Sequence, residues 1–239
     1  METAAYTSLS RQVGLARELQ VVANNLANSV TTGYRQEGLV FSEFVHDSGS
    51  VGSDLSMTRA AARNTSLDQG TLTETEGRLD LAIEGEGFFQ IETDRGPRLT
   101  RAGSFSSDVN GALLTPDGGR VMDDGGAPVF VPAGVDVHIA SDGTISADGQ
   151  PLGRIGLFLP VDRNDLHRED GVLFRTNSGV EPVDNPMIRQ GFLEGSNVNA
   201  VLQIARLVEI QRAYEMGQSF LDAEDQRIRE SVKTLIRST

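Results

Sequence analysis

Apolar residues return every seven positions near the C-terminus, at Leu207, Tyr214, Leu221, Ile228 and Leu235, with Ile204, Val208, Ile210 and Val232 beside them. That spacing lays an apolar stripe along one face of a long helix. Gly217 is the single glycine in the stretch, and a mid-helix glycine costs about 1 kcal/mol relative to alanine, so the helix bends there or lies close against a neighbour. From Val198 to Ile236 it would run about 58 Å at 1.5 Å per residue, longer than a small domain needs.

The N-terminus carries a matching pattern. Between Ala4 and Ala27, Leu15, Leu19, Val22 and Leu26 fall on one face, with Ala5, Leu9, Ala16 and Ala23 alongside, which predicts a second amphipathic helix. Helices take most of their stability from tertiary contact, so each stripe needs a partner. The same periodicity would also serve two ordinary core helices of one globular domain. Asn24, Asn25 and Asn28 sit at the edge of the first stripe. Amides there can fix register between packed helices, or serve as caps and turns at the helix end.

Between the helices the pattern changes twice. Residues 35–75 are poorly periodic, with Phe41, Phe44 and Val45 as apolar islands, and read as an extended connector or a flexible linker. From Leu79 the period becomes two: Leu79, Leu81 and Ile83; Val135, Val137 and Ile139; Ile155, Leu157 and Leu159; then Val172 and Phe174. Asn110-Gly111, Asp117-Gly118, Asp124-Gly125, Asp142-Gly143 and Asp148-Gly149 stand between the runs as tight-turn pairs. The expected fold is α+β. Residues 1–30 with 197–239 form a terminal helical assembly domain, 31–75 with 186–196 an extended connector, and 76–185 an inserted all-β domain.

The net charge of −13 sharpens this division. Both helical ends are neutral, Glu2 and Glu18 balancing Arg11 and Arg17, while 197–239 holds equal numbers of acids and bases, so the whole acidic excess lies in 31–196. Repulsion keeps the middle apart from like copies, and the ends are free to pack. With no basic stripe to meet phosphates, nucleic acid is not an expected partner. Cysteine is absent, which excludes disulfides and thiolate metal sites. No stretch reads as a membrane span or as a cleaved signal, so work outside the cytoplasm would require another export route.

Candidate chemistry is sparse. His46, His138 and His167 are far apart and lack ligand spacing. Asp108-Val-Asn-Gly111 lacks the ligand set of a calcium loop, Gly85-Glu-Gly87 lacks a third glycine, and no serine stands in a nucleophile elbow. The pairs Glu84/Glu86 and Asp123/Asp124 could in principle serve a glycosidase, but acids in turn-rich acidic segments are usually solvated. The chain is read as non-enzymatic, with no cofactor and no metal.

Five ordered stretches carry a family resemblance: Ala23-Asn-Asn-Leu-Ala-Asn28 with Thr32-Gly33-Tyr34; Leu79 through Phe89; Leu99-Thr-Arg-Ala-Gly-Ser-Phe105; Gly191-Phe-Leu-Glu-Gly-Ser-Asn-Val198; and Gln211-Arg-Ala-Tyr-Glu215. In these the chain resembles the bacterial flagellar rod and hook proteins. Its opening, its length and Ile139–Ile145 look most like the proximal-rod members. Tyr34 stands where the family more often has Phe, and Gly217 where it often has Asn.

The resemblance implies a structural subunit whose terminal helices pair in a coiled-coil-like layer inside a tubular drive shaft, the β domain lying outside. It implies copies of itself, other proximal-rod subunits, the distal rod protein and the flagellar type III export apparatus as partners, in the periplasmic part of the basal body. The residues expected at the assembly contacts are Leu9, Leu15, Leu19, Val22, Asn24, Asn25, Leu26, Asn28, Ile204, Leu207, Tyr214, Leu221, Ile228 and Leu235. Alternatives are a distal-rod or hook-type member of the same family, or a glycan-binding or hydrolytic β module carried on oligomerising helices.

Overall fold

The computed structural model describes residues 2–46, 55–132 and 134–237, and the chain divides into two compact units. The first comprises Met1–Ala27, Glu37–Asn64 and Asn199–Thr239. It contains helix α1 (Glu2–Ala27), strands β1 (Glu37–His46) and β2 (Leu55–Thr65) paired in a two-stranded sheet, and helix α2 (Ala200–Arg237). Both expected helices are present within a few residues of the predicted ends. The two strands were not foreseen, because the sequence reading gave this segment as an extended connector or a flexible linker. A two-stranded ribbon does not need an alternating apolar face, and its residues carry no such alternation, so periodicity had nothing to detect.

α1 and α2 run antiparallel. Arg206 is 2.6 Å from Glu18, and the Gln12 side chain donates to the Tyr214 carbonyl at 2.9 Å. Gln12 lies across Gly217, where a Cβ would stand 2.4 Å from its Nε2. The glycine therefore marks a close approach rather than a break. Asn199 starts α2 by accepting from the Leu202 N–H, as an N-cap does. Asn25, buried at the end of α1, holds β1: its Oδ1 accepts from the Glu37 N–H at 3.0 Å and its Nδ2 donates to the Glu37 carbonyl at 2.7 Å. One side-chain amide thus replaces a pair of ladder bonds.

The second unit comprises Asn28–Gln36 and Thr65–Val198. Its strands, in order, are β3 (Leu72–Glu74), β4 (Leu81–Ile83), β5 (Phe88–Thr93), β6 (Gly96–Thr100), β7 (Ser106–Ser107), β8 (Leu113–Leu114), β9 (Arg120–Val121), β10 (Val137–Ile139), β11 (Thr144–Ala147), β12 (Gln150–Arg154), β13 (Leu157–Pro160), β14 (His167–Asp170), β15 (Leu173–Arg175), β16 (Val180–Pro182), β17 (Ile188–Gln190) and β18 (Phe192–Glu194). The largest sheet runs β14-β15-β6-β5-β9-β8-β7, with β13 joining β5 to β16. A separate sheet orders β10-β11-β12, and β17 and β18 pair with β4 and β3. The molecule is α+β, a helix at each end and a mostly β middle.

Alternation on β5 explains how one strand feeds two apolar clusters. Neighbouring side chains point to opposite faces. Phe89 and Ile91 enter the main core with Leu81, Ile83, Leu113, Ile155 and Ile188, while Phe88 joins Leu99, Phe158, Leu166 and Phe174 on the other side. The turn pairs act as expected at Gly111, Gly118, Gly143 and Gly149, all with positive φ. At Asp124-Gly125 the positive φ falls one residue later, on Gly126.

Two substitutions test this packing. A Cβ on Gly103 would stand 1.6 Å from the Leu81 carbonyl oxygen, whereas one on Gly153 meets nothing within 4 Å. Chemical denaturation of the full chain is expected to show Gly103→Ala losing about 3 kcal/mol and Gly153→Ala changing by less than about 0.5 kcal/mol. Asn25→Leu removes both bonds to the buried Glu37 backbone and is expected to lose about 2 kcal/mol; an unchanged midpoint would contradict the clamp.

Candidate functional site

Three of the family-like stretches meet at one place in the second unit. Arg35 follows Thr32-Gly33-Tyr34, Arg101 lies in Leu99–Phe105, and Glu194 ends β18. Their side chains are 1 %, 3 % and 1 % exposed. Arg35 Nη2 stands 2.8 Å from Glu194 Oε1, and Arg101 Nη1 donates to Oε2 at 3.1 Å. The Gly70 N–H adds a third bond to the carboxylate, 2.8 Å to Oε1. One anion is shared by two cations out of water.

The backbone crossings explain how charged residues came to be interior. A Cβ on Gly70 would lie 2.0 Å from the Gly195 carbonyl oxygen, and one on Gly33, at φ 71°, would lie 2.2 Å from the Ala102 N. Only chains without side chains at those points approach so closely. Gly33 N–H donates to the Glu194 carbonyl at 2.7 Å, and Asn197 joins the two segments where they leave the unit, its Oδ1 accepting from Gln36 N–H at 2.6 Å and its Nδ2 donating to the Asp68 carbonyl at 2.8 Å. Arg35 also donates to the Asp68 carbonyl, and Arg101 Nη2 donates to that of Gly85 at 2.6 Å.

The cations are held at a cost. Burial lowers the Arg101 guanidinium to about 10, Glu194 opposing that fall and Arg35 adding to it. Burial likewise lowers Arg35, against the attraction of Glu194 and Asp68. Arg35 Nε and Arg101 Nε are buried without a hydrogen-bond partner. Arg168 closes the outside, its guanidinium 4.3 Å from the Tyr34 ring centre and 4.6 Å from that of Phe174.

The residues expected at assembly contacts divide by exposure. Val22 and Asn25 are buried; Leu15, Leu19, Leu26, Leu207, Tyr214 and Leu221 are partly buried; Leu9, Asn24, Ile204 and Ile228 are exposed. Asn28 belongs to the turn after α1, where it accepts from the Thr31 hydroxyl. The side chain of Leu235 lies outside the described residues, as does that of His46. Sequence reasoning missed Arg35, Arg101 and Glu194 as a set. Their one signal was that each lies within two positions of a glycine, in a recognised stretch or directly after one.

The acids weighed for catalysis have other work. Asp108 and Asp123 accept backbone N–H groups within their own turns, while Asp124 pairs with Arg154 and Glu86 with Arg163. Asp165 anchors the following loop. Desolvation acts to raise its pKa, but bonds from the Ser178 and Asn177 N–H groups and the Thr176 hydroxyl hold it well below the carboxylate range. Among the described residues, no three His, Asp or Glu converge as a metal site, and no helix is long and apolar enough to cross a membrane.

Comparison with known proteins accounts for the meeting of these stretches. Family models match in three pieces: flagella basal body rod protein over 6–35, flagellar hook protein FlgE/F/G D1 domain over 82–147, and flagellar basal body rod FlgEFG protein C-terminal over 189–234. Arg35, Arg101 and Glu194 each fall within one of the three. Flagellar basal-body rod protein FlgF of Caulobacter vibrioides is 40 % identical over 98 % of both chains, and FlgF of Mesorhizobium japonicum 35 % over 98 % of both. Flagellar basal-body rod protein FlgG of Bacillus subtilis is 29 % identical over 95 % of this chain and 97 % of its own. With identity sustained across all the elements that build the buried node, this chain belongs to the family of flagellar basal-body rod proteins.

Proposed function

We propose that this chain is a structural, non-enzymatic subunit of the bacterial flagellar rod, placed in its proximal part. It polymerises with copies of itself and with other rod proteins, FlgG-like distal subunits among them, and transmits torque. The flagellar export apparatus would deliver it to the basal body. The terminal segments, 1–30 with 197–239, act as the assembly domain and form a coiled-coil-like layer with neighbouring subunits.

The observation that carries this reading is how little of the helical stripes one copy covers. On α1, Leu9 and Val13 remain about half exposed; on α2, so do Ile204, Phe220 and Ile228, while Val201, Leu202 and Met216 are more exposed still. By the register of Gln12 with Tyr214, α2 past Glu224 runs beyond the start of α1, about 20 Å of helix at 1.5 Å per residue. A groove lined by Leu15, Met216, Gly217 and Phe220 lies between the helices. Contiguous apolar surface of this kind marks an interaction face, and the neutral ends oppose no like copy.

The β unit supports the same reading from the other side. It has a closed core of its own, and Asp108, Asp123, Asp124 and Glu86 are engaged in turns and surface ion pairs. Asn25, committed to the Glu37 backbone, leaves Asn24 on the exposed side of α1 as the better placed amide for contacts with a neighbouring copy.

Replacing Phe220 and Ile228 together by Asp tests the assembly face. The variant is expected to keep the β unit's thermal transition, to be absent from purified basal bodies, and to leave a deletion strain non-motile on complementation. Normal incorporation with normal swimming would refute the proposal.

A further inference from the structure

The last segment of the second unit to occur in the chain, residues 187–197, sends Ile188 and Glu194 into its interior while Met187 and Arg189 stay exposed. Ile188 is 2 % exposed and shares a core with Leu81 and Ile83, both wholly buried in β4. Among the described residues, β4 has β17 as its only ladder partner and β3 has β18. The Met187 carbonyl accepts from the Glu84 N–H, Ile188 N–H donates to the Ser141 carbonyl, and Gly191 N–H donates to that of Asp80. Gln190 joins three segments at once: its Nε2 donates to the Arg78 and Val137 carbonyls at 2.8 and 2.9 Å, and its Oε1 accepts from Ile139 N–H at 3.0 Å. This segment is a keystone, hydrogen-bonded at once to residues 78–84 and 137–141.

Glu194 is the charged end of that keystone, and it follows Arg101 by 93 positions. Without it, a closed unit would hold two guanidiniums beside each other, each stripped of water and opposed only by the exposed carboxylates of Asp68 and Glu86. Removing water from one such ion costs several kcal/mol, and like charges add to that cost. β5, β6, β13 and β15 can pair without the return segment, but they cannot seal dry core over Arg35 and Arg101.

We propose that docking of Glu194 between Arg35 and Arg101 is the step that closes the second unit, so that the unit stays open until residues 187–197 are present. A chain made or delivered from its N-terminus then remains unlatched until almost the whole unit has appeared. Nothing in this depends on the rod assignment. It follows from the order of three residues in the sequence and their burial.

Stopped-flow circular dichroism on the full chain tests the order of events. Glu194→Gln is expected to refold roughly a hundredfold more slowly with its unfolding rate unchanged, as befits a contact already made at the barrier. Adding Arg101→Met, which removes one of the two like charges, is expected to recover about tenfold of that rate. Should Glu194→Gln reach no folded state, Glu194→Asp keeps the charge on a shorter arm and is expected to slow refolding with the same signature. Refolding at the wild-type rate with faster unfolding would overturn the proposal, as would a double variant no faster than Glu194→Gln alone.

Discussion

One carboxylate held between two guanidiniums, out of contact with water, is the constraint around which the second unit is arranged. A buried ion pair is weak as a source of net stability, because the attraction roughly repays the desolvation of its members. It is strong as a condition on folding, since the loss of either partner leaves a bare charge inside. Here the condition binds residues from the beginning, the middle and the end of the chain, Arg35, Arg101 and Glu194. Gly33 and Gly70 let the backbones cross closely enough to make it, and Asn197 ties the outgoing segment to the incoming one. Gln36, which leads into β1, and Asn197, which leads into α2, therefore stand side by side.

The helical unit obeys the opposite rule. Few of its apolar side chains are buried, Val21, Val22 and Ile210 among them, and those that line the exposed faces are large. Its internal polar ties, Gln12 to Tyr214, Asn25 to Glu37 and Arg206 to Glu18, fix how the pieces of one copy meet. They do little to hide apolar surface. A β unit with a closed core and a helical unit with exposed apolar faces fit the division of labour proposed for a polymer, one part a finished body and the other the assembly face.

Much of this was legible in the sequence. The helices declared themselves by their seven-residue spacing, and four turn glycines by the Asx residues before them. The strands at Leu81, Val137, Leu157 and Leu173 followed from alternation. What escaped was what those signals cannot carry. The sequence of residues 35–75 carries no sustained alternation, so β1 and β2 read as extended connector or flexible linker. The acidic middle was read as solvated throughout, and charge alone gives no hint that Arg35, Arg101 and Glu194 are interior. Their burial depends on glycine crossings between segments far apart in sequence, and only the family-like stretches around them marked the spots. Asn25 was singled out, with Asn24 and Asn28, as an amide that could fix register between helices; its bonds to the Glu37 backbone, twelve positions on, could not be read from spacing.

The central claim is that the β unit is complete in one copy and the helical ends reach their full order only among neighbours. Amide hydrogen exchange compared between dilute full-length chain and assembled rods tests it most directly. Strong protection at Leu81, Ile83 and Phe89 in both states is predicted, with residues 5–20 and 212–235 exchanging rapidly in the dilute chain and slowly after assembly. Strong protection of both helical stretches in the dilute chain would contradict it.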